Sequence, residues 1–341
     1  MRAGMTVRLS ILLPTYNGDR FLEAQLSSIL AQTDADFELL AVDDGSTDSS
    51  AAILASHARR DARLRVLPGA SNQGQSVRLR QLLAEAQGEF VAIADQDDVW
   101  AADRNEKLLA AIGDRPLAFG RSDLIDAQGA PLGGTLLGRL GVAPDPDARL
   151  QSLFRAMVSA HAAIIRREWI DAAALSHPLP FDWLLGTAAL HGGGLTYVPD
   201  AIVGHRMHDA NQMNRAAPDG TRRLARLRNH YAFLLRRPLQ LRFWLMIDFL
   251  GRSPMFTPEV RRTLAPLAAA CRDTWFSGTP RPRASDQALR RCLRADLQPL
   301  AGSAEDWTVA SRQIDLATHS IVHPWKLREG VRRLRSSAAE Y

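Results

Sequence analysis

Within the first hundred residues, four short apolar runs alternate with amphipathic helical stretches, and three of the runs open directly into polar clusters. Val7 to Leu13 reads as a buried strand and leads into Pro14-Thr15-Tyr16-Asn17-Gly18. Phe21, Leu22, Leu26, Ile29 and Leu30 then recur at helical spacing. Phe37 to Val42 is the second strand, broken by Asp43-Asp44-Gly45-Ser46, and a helix is expected from Ser46 or Thr47, whose hydroxyls suit an N-cap. Leu64 to Leu67 is a third strand ending at Pro68, Gln75 to Ala86 is helical, and Phe90 to Ala94 runs straight into Asp95-Gln96-Asp97-Asp98. Strands joined by helices in this alternation pair in parallel through crossover connections. Ligands of such sheets lie outside the carboxyl ends of the strands. The polar clusters after Leu13, Val42 and Ala94 are therefore expected to line one crevice.

The regularity fades after about residue 115. Asp126 to Gly129 reads as a turn, Leu132 to Pro146, rich in glycine and proline, as a mobile loop, and Ala156 to Ile165 as a return to the sheet. From Arg222 onward the pattern is mostly helical, with a break near Thr279 to Pro282. A chain of 341 residues, 46% apolar and 23% charged, can bury a sizeable core without disulfide staples. Cys271 and Cys292 lie far apart and form no CxxC, which argues against a thiolate metal site or a disulfide framework. No run reaches the roughly 18 apolar residues of a membrane span, and Leu9 to Leu13 is too short for a signal-peptide core. A cytoplasmic protein is expected.

Chemistry concentrates in the polar clusters. Carboxylates two apart at a strand end, as in Asp95-Gln96-Asp97-Asp98, can face one divalent cation, and hard oxygen ligands suit Mg2+ or Mn2+. Such a cation would neutralise charge developing on a departing phosphate oxygen. A carboxylate of Asp43-Asp44 can accept a hydrogen bond from a base imide N–H. Tyr16, in the turn opened by Pro14, can stack on a nucleobase, and Asn72-Gln73-Gly74 precedes a helix whose first amides can face phosphate.

In order and spacing, Ser10-Ile11-Leu12-Leu13-Pro14-Thr15-Tyr16-Asn17-Gly18, Val42-Asp43-Asp44-Gly45-Ser46-Thr47-Asp48, Asn72-Gln73-Gly74 and Asp95-Gln96-Asp97-Asp98-Val99-Trp100 resemble the motifs of family 2 glycosyltransferases over roughly residues 7–120. The resemblance implies an α/β GT-A fold, a mixed sheet with helices on both faces, followed here by a C-terminal helical region. It implies inversion at the anomeric carbon and a catalytic domain over 1–215, with a nucleotide-sugar half (7–120) and an acceptor half (121–215), then helices over 216–341. It places Asp44 on a uracil or thymine base with Tyr16 against it, Asp97 on the metal, and Asp95 on donor ribose or sugar or sharing the metal. Pro14, Asn72 and Gly74 complete the donor side. No GxGxxG follows the first strand, which disfavours a dinucleotide fold.

Gln96 between the aspartates and the following Val99-Trp100 look most like a rhamnosyltransferase-type branch, implying dTDP-L-rhamnose as donor and a UDP-hexose next. Members of that branch carry a His-Asp-Trp-like element supplying the catalytic base. Here Phe181-Asp182-Trp183 stands in its place, with Asp182 matching the base that takes the acceptor hydroxyl proton. His205-Arg206-Met207-His208-Asp209-Ala210-Asn211 resembles the branch's Tyr-Arg-x-His segment, with His208 on the metal or diphosphate and Arg206 on phosphate charge.

Arg222, Arg223, Arg226, Arg228, Arg236, Arg237 and Arg242 interleave with Leu224, Leu227, Phe233, Leu234, Leu235, Phe243 and Trp244, with no acidic residue among them. Lys326 to Arg335 adds a second basic run. Such a segment either lies on an anionic membrane surface, where a lipid-linked saccharide acceptor would be met, or forms a helical layer over the catalytic domain. No nucleic-acid motif accompanies it. Two other functions use the same residues: a metal-dependent nucleotide-sugar phosphohydrolase or nucleotidyltransferase, and a non-catalytic nucleotide- or glycan-binding module.

Overall fold

The computed structural model describes residues 7–69, 71–177, 179–209, 239–253, 256, 258–276 and 283–319. Strands β1 (Leu9–Thr15), β2 (Phe37–Asp43), β3 (Leu64–Leu67) and β4 (Phe90–Ile93) alternate with helices α1 (Asp19–Leu30), α2 (Ser50–Arg60) and α3 (Gln75–Glu85). β1 pairs in parallel with both β2 and β4, and β2 in parallel with β3. Side chains of β1 alternate between two buried clusters: Leu9, Ile11 and Leu13 meet Leu22, Leu26 and Ile29 of α1, while Leu12 meets Leu79 and Leu82 of α3. Both faces are therefore covered, which is why the strand reads as a continuous apolar run. Each such fully buried leucine or isoleucine contributes roughly 1.5–3 kcal/mol of transfer free energy.

Beyond β4 come β5 (Val99–Trp100), α4 (Arg104–Ala111), β6 (Leu117–Ile125), β7 (Pro131–Thr135), α5 (Leu136–Arg139), α6 (Arg149–Ser152), β8 (Ala163–Arg166), α7 (Phe181–Gly192) and β9 (Leu195–Arg206). The sheet order is β3-β2-β1-β4-β8-β6-β9-β5, with β7 paired to β6. β8 is antiparallel to both β4 and β6, and β6 runs parallel to β9, so the sheet is mixed. Helices α8 (Leu239–Arg252), α9 (Pro258–Phe276), α10 (Arg283–Leu297) and α11 (Ala304–His319) follow. Their apolar residues, among them Phe243, Met246, Leu264, Leu293 and Ile314, share one core with Leu150, Leu153, Trp183 and Leu184. No helix among the described residues is long and apolar enough to cross a membrane.

Three local expectations change. The α2 helix starts at Ser50 instead of Ser46 or Thr47, because the Ser46 hydroxyl donates to Asp43 Oδ1 and the Thr47 amide to Asn17 Oδ1. Leu132 to Pro146, read as a loop, supplies most of edge strand β7 and all of α5. Of the expected 156–165 return only Ala163 to Ile165 is strand, within β8, since residues 160–162 form a 3-10 turn. Of the basic segment, Arg222 to Arg237 lie outside the described residues, as does Lys326 to Arg335. Phe243 is buried in the shared core and Trp244 packs against it, so this end of the segment belongs to a packed helical layer.

Candidate active site

The loops that follow β1, β2 and β4 are stitched together by hydrogen bonds. The Tyr16 amide donates to Gln96 Oε1 (2.8 Å), and Gln96 Nε2 donates back to the Tyr16 carbonyl (3.1 Å). The Asn17 amide donates to Ser46 Oγ (2.9 Å), and Asn17 itself holds a left-handed φ of 48°. Parallel pairing of β2, β1 and β4 puts all three loops at one sheet edge, so the polar clusters of the sequence converge there. Pro14 and Tyr16 are half-buried on that edge, and Asn72 is exposed.

Asp44 is buried and already engaged. Its carboxylate accepts from the amides of Gln73 (2.9 Å) and Gly74 (2.8 Å) and from Arg78 Nε (2.6 Å). Gly74, at φ 88°, turns the chain so that its amide reaches this carboxylate at the start of α3. Its oxygens thereby shape the 71–78 turn, and Oδ2 accepts only the Gly74 amide among the described residues. Arg206 is engaged likewise. Its guanidinium, expected on phosphate, is buried and donates to the carbonyls of Asp97 (2.9 Å), Asp126 (3.2 Å) and Ala127 (3.0 Å). It thereby ties the turn after β4 to the turn after β6.

The acidic turn holds the densest charge. Asp97 Oδ2 lies 2.8 Å from His208 Nε2, and the His208 ring packs against Phe21 of α1, with ring centroids 4.5 Å apart. The Asp98 side chain is fully buried, accepts the Arg206 amide at 3.1 Å and lies 3.0 Å from His205 Nδ1. His205 stacks on His161 with centroids 4.9 Å apart. His161 shares a hydrogen bond of 2.9 Å between Nε2 and Ser122 Oγ, and its Nδ1 lies 3.6 Å from Asp95 Oδ2. Asp98, His161 and His205 gather their ligand atoms within 4.8 Å of one another, a set able to hold a metal ion. Asp97 and His208, the pair expected to do so, are not in that set. His161 was missed by sequence reasoning: it sits in no motif, and the antiparallel insertion of β8 between β4 and β6 carries it in.

The electrostatics follow from crowding. Burial, and then the charges of Asp98 and Asp97, raise the Asp95 carboxyl well above its ordinary range. Burial also works against Asp98 ionising, but His205 and His161 beside it outweigh that and hold it below the usual value. His205 gains from the same pairing, which overcomes its own burial and lifts it to about 9. Burial lowers His161 to about 4, so it is neutral. Asp182 sits half-buried in the first turn of α7, where its Oδ1 accepts the Trp183 amide at 2.7 Å, and burial raises its pKa to about 6. Its charge is felt at Asp95, which brings Asp182 and the acidic turn into one electrostatic neighbourhood. Four carboxylates facing few cations form a site suited to a bound cation and to proton transfer near neutrality.

The comparisons with known proteins bear on the family and the fold. Residues 10–172 match the profile described as glycosyl transferase family 2. TuaG, assigned to teichuronic acid biosynthesis as a glycosyltransferase in Bacillus subtilis (strain 168), is 35% identical over 126 residues, covering 36% of this chain and 50% of TuaG. WfgD of Escherichia coli, named as a UDP-Glc:alpha-D-GlcNAc-diphosphoundecaprenol beta-1,3-glucosyltransferase, is 32% identical over 111 residues, covering 33% of this chain and 43% of WfgD. The matches thus span half or less of the length of these curated relatives. Staphylococcus aureus TarS 1-349, solved in complex with UDP-GlcNAc, superposes with a TM-score of 0.53 at 16% identity, over 95% of this chain and 92% of that one. That likeness concerns the fold. Residues 10–172 are thus similar to glycosyl transferase family 2, and the chain has a GT-A fold.

Proposed function

We propose that the protein transfers one sugar from a nucleoside-diphosphate sugar to a saccharide or lipid-linked saccharide acceptor, with inversion at the anomeric carbon, in the building of a surface polysaccharide. What supports this reading is Asp97 beside His208 in the acidic turn at the sheet edge where strand ends bind ligands in such folds, with the charge of Asp182 near enough to help raise the Asp95 carboxyl. Pro14, Tyr16, Asn72 and Gly74 border the donor, while Asp44 and Arg206 act from behind by fixing the turns.

The residues fit a divalent cation. Carboxylates crowd the turn, Asp98 Oδ2 is buried without a hydrogen-bond partner, and Asp97 and His208 offer an oxygen and a nitrogen side by side. An imidazole among the ligands favours Mn2+ over the harder Mg2+. When bound, the cation supplies charge neutralisation for the leaving diphosphate. Asp95 would reach donor ribose or sugar. Asp182, ionised above about pH 6, accepts the acceptor hydroxyl proton.

For the donor, the branch resemblance favours dTDP-L-rhamnose. A UDP-hexose is the second reading, supported by the UDP-Glc in the name of WfgD and the UDP-GlcNAc bound to TarS. Work at an anionic membrane surface, on the cytoplasmic side, accords with a lipid-linked acceptor of the WfgD kind. A thermal-shift and hydrolysis screen of UDP-, dTDP- and GDP-sugars with Mn2+ or Mg2+ tests the reading. Stabilisation by UDP- or dTDP-sugars is expected. Stabilisation by GDP-sugars alone overturns the donor assignment, and pyrophosphate release from a sugar phosphate would favour a nucleotidyltransferase.

A further inference from the structure

The α6 helix begins without a cap of its own: Ala148 occupies the N-cap and offers no side-chain acceptor. The free amides are met from 155 residues away. Asp306, wholly buried at the start of α11, accepts from the Leu150 amide on Oδ2 and the Gln151 amide on Oδ1, both at 2.9 Å. Oδ2 also accepts the Gly302 amide at 3.1 Å, so a single carboxylate serves the N-termini of two helices, where the helix dipoles favour negative charge. The two segments touch closely. A Cβ on Gly302 would stand 1.9 Å from the Asp147 carbonyl oxygen, so no other residue fits there without moving the backbone.

The α6 helix in turn grips α7. The Ser152 carbonyl, at the end of α6, accepts from Trp183 Nε1 and from Thr187 Oγ1 (3.1 Å), and Thr187 Oγ1 also bonds the Trp183 carbonyl (2.8 Å). Trp183 and Thr187 are each 1% exposed. Trp183 follows Asp182, and its amide holds the Asp182 carboxylate. A series of hydrogen bonds, buried up to the last, and one short helix thus runs from the C-terminal helices to the candidate base.

We infer that Asp306 is a positioning residue: through α6 and the Ser152 carbonyl it sets the seating of α7, and hence where Asp182 stands relative to the acidic turn. A desolvated carboxylate is an expensive cap compared with a local serine or aspartate at 148. What the distant one adds is a fixed register between the C-terminal layer and the helix that carries the base. This inference rests on the reading of Asp182 as the base.

The test compares Asp306→Ala and Asp306→Asn with the parent protein by amide hydrogen exchange, by calorimetric titration with UDP and dTDP in Mn2+, and by transfer. Expected are exchange about tenfold faster at residues 150–152 and 181–187, unchanged protection through β1 and β4, and unchanged nucleotide affinity. In transfer to polyprenyl-diphosphate-linked N-acetylglucosamine, from whichever nucleotide sugar the screen selects, kcat falls about tenfold while donor KM holds, since small misplacements of a reacting group carry such penalties. Asp306→Asn keeps one acceptor oxygen and recovers part of the loss. Uniformly faster exchange, nucleotide affinity falling in step with kcat, or parental exchange at 181–187 would each overturn the inference. Should Asp306→Ala fail to fold, Trp183→Phe removes the Nε1 donor, keeps a ring, and must give the same local exchange and kcat pattern. Exchange is read without turnover, so it separates the two claims. Parental transfer in Asp182→Ala defeats the base assignment, whereas parental exchange in Asp306→Ala defeats the positioning role.

Discussion

The proposed donor edge and the proposed acceptor side of this molecule are built by different means. At the proposed donor edge, three loops leave three neighbouring parallel strands and are tied to one another by partners no more than about eighty residues apart, as in Tyr16 with Gln96 or Asp44 with Arg78, with Arg206 and His208 reaching the third loop from farther along the chain. On the acceptor side, the helix bearing Asp182 is seated by α6, whose cap comes from the far end of the chain. The first arrangement is a property of strand order and motif spacing, the second of tertiary packing. A donor pocket can therefore be maintained by short motifs while the acceptor side changes with the helices around it.

Four measurements can break or sharpen this contrast. The largest effect is expected for Asp182→Ala: transfer falls by about 10³-fold, within the range of general-base catalysis, while UDP or dTDP binding in Mn2+ stays at the parental level. A matching loss of nucleotide affinity would mean the two sides are not separable. Next is Arg78→Ala, which strips the buried Asp44 carboxylate of its charged partner. It should destabilise the fold by about 3 kcal/mol in chemical denaturation, and a value near zero would remove this pair from the framework of the donor edge. Asp97→Ala should weaken Mn2+-dependent nucleotide binding by about 10²-fold in titration calorimetry, leaving metal-free binding alone. Unchanged binding points to the Asp98, His161 and His205 set as the site of the ion. The smallest effect is on pH. Because burial raises the Asp182 carboxyl to about 6 and the base must be ionised, kcat should climb about tenfold per pH unit up to about 6 and level off above it. A climb centred near 4, or a flat profile, would place the proton acceptor elsewhere.

The contrast also accounts for what could be read from the sequence. The runs at Leu9, Phe37 and Phe90 are buried on both faces, so their continuous apolar character and their polar endings announce strands, sheet direction and ligand edge together, whereas edge strand β3 leaves Arg65 and Val66 exposed. The start of α2 was misplaced because Ser46 and Thr47 bond to Asp43 and Asn17 across the crevice instead of capping. Strand β7 carries Gly133 and Gly134 at positive φ, and a glycine pair reads as a loop even where an edge pairs with β6. Asp44 and Arg206 stand in recognisable motifs, yet whether their charges face a ligand or a backbone turn depends on neighbours that no spacing reveals. His161 and Asp306 had no local signal at all, since each matters only through what long-range folding sets beside it.

The largest apolar cluster draws on Leu150, Phe154, Trp183 and Leu190 from the acceptor half and on Phe243, Leu250, Leu264 and Leu297 from the helices beyond it. Any boundary placed between these two parts runs through shared interior. A chimera that borrows acceptor preference from a relative must transplant both as a single block, and a deletion stopping short of α8 would leave Trp183 and Phe154 wetted. Divergence on the proposed acceptor side is then constrained to move in concert from Leu150 to Leu297, while the three loops at the sheet edge, bonded to one another, form a second block that can vary apart from the first.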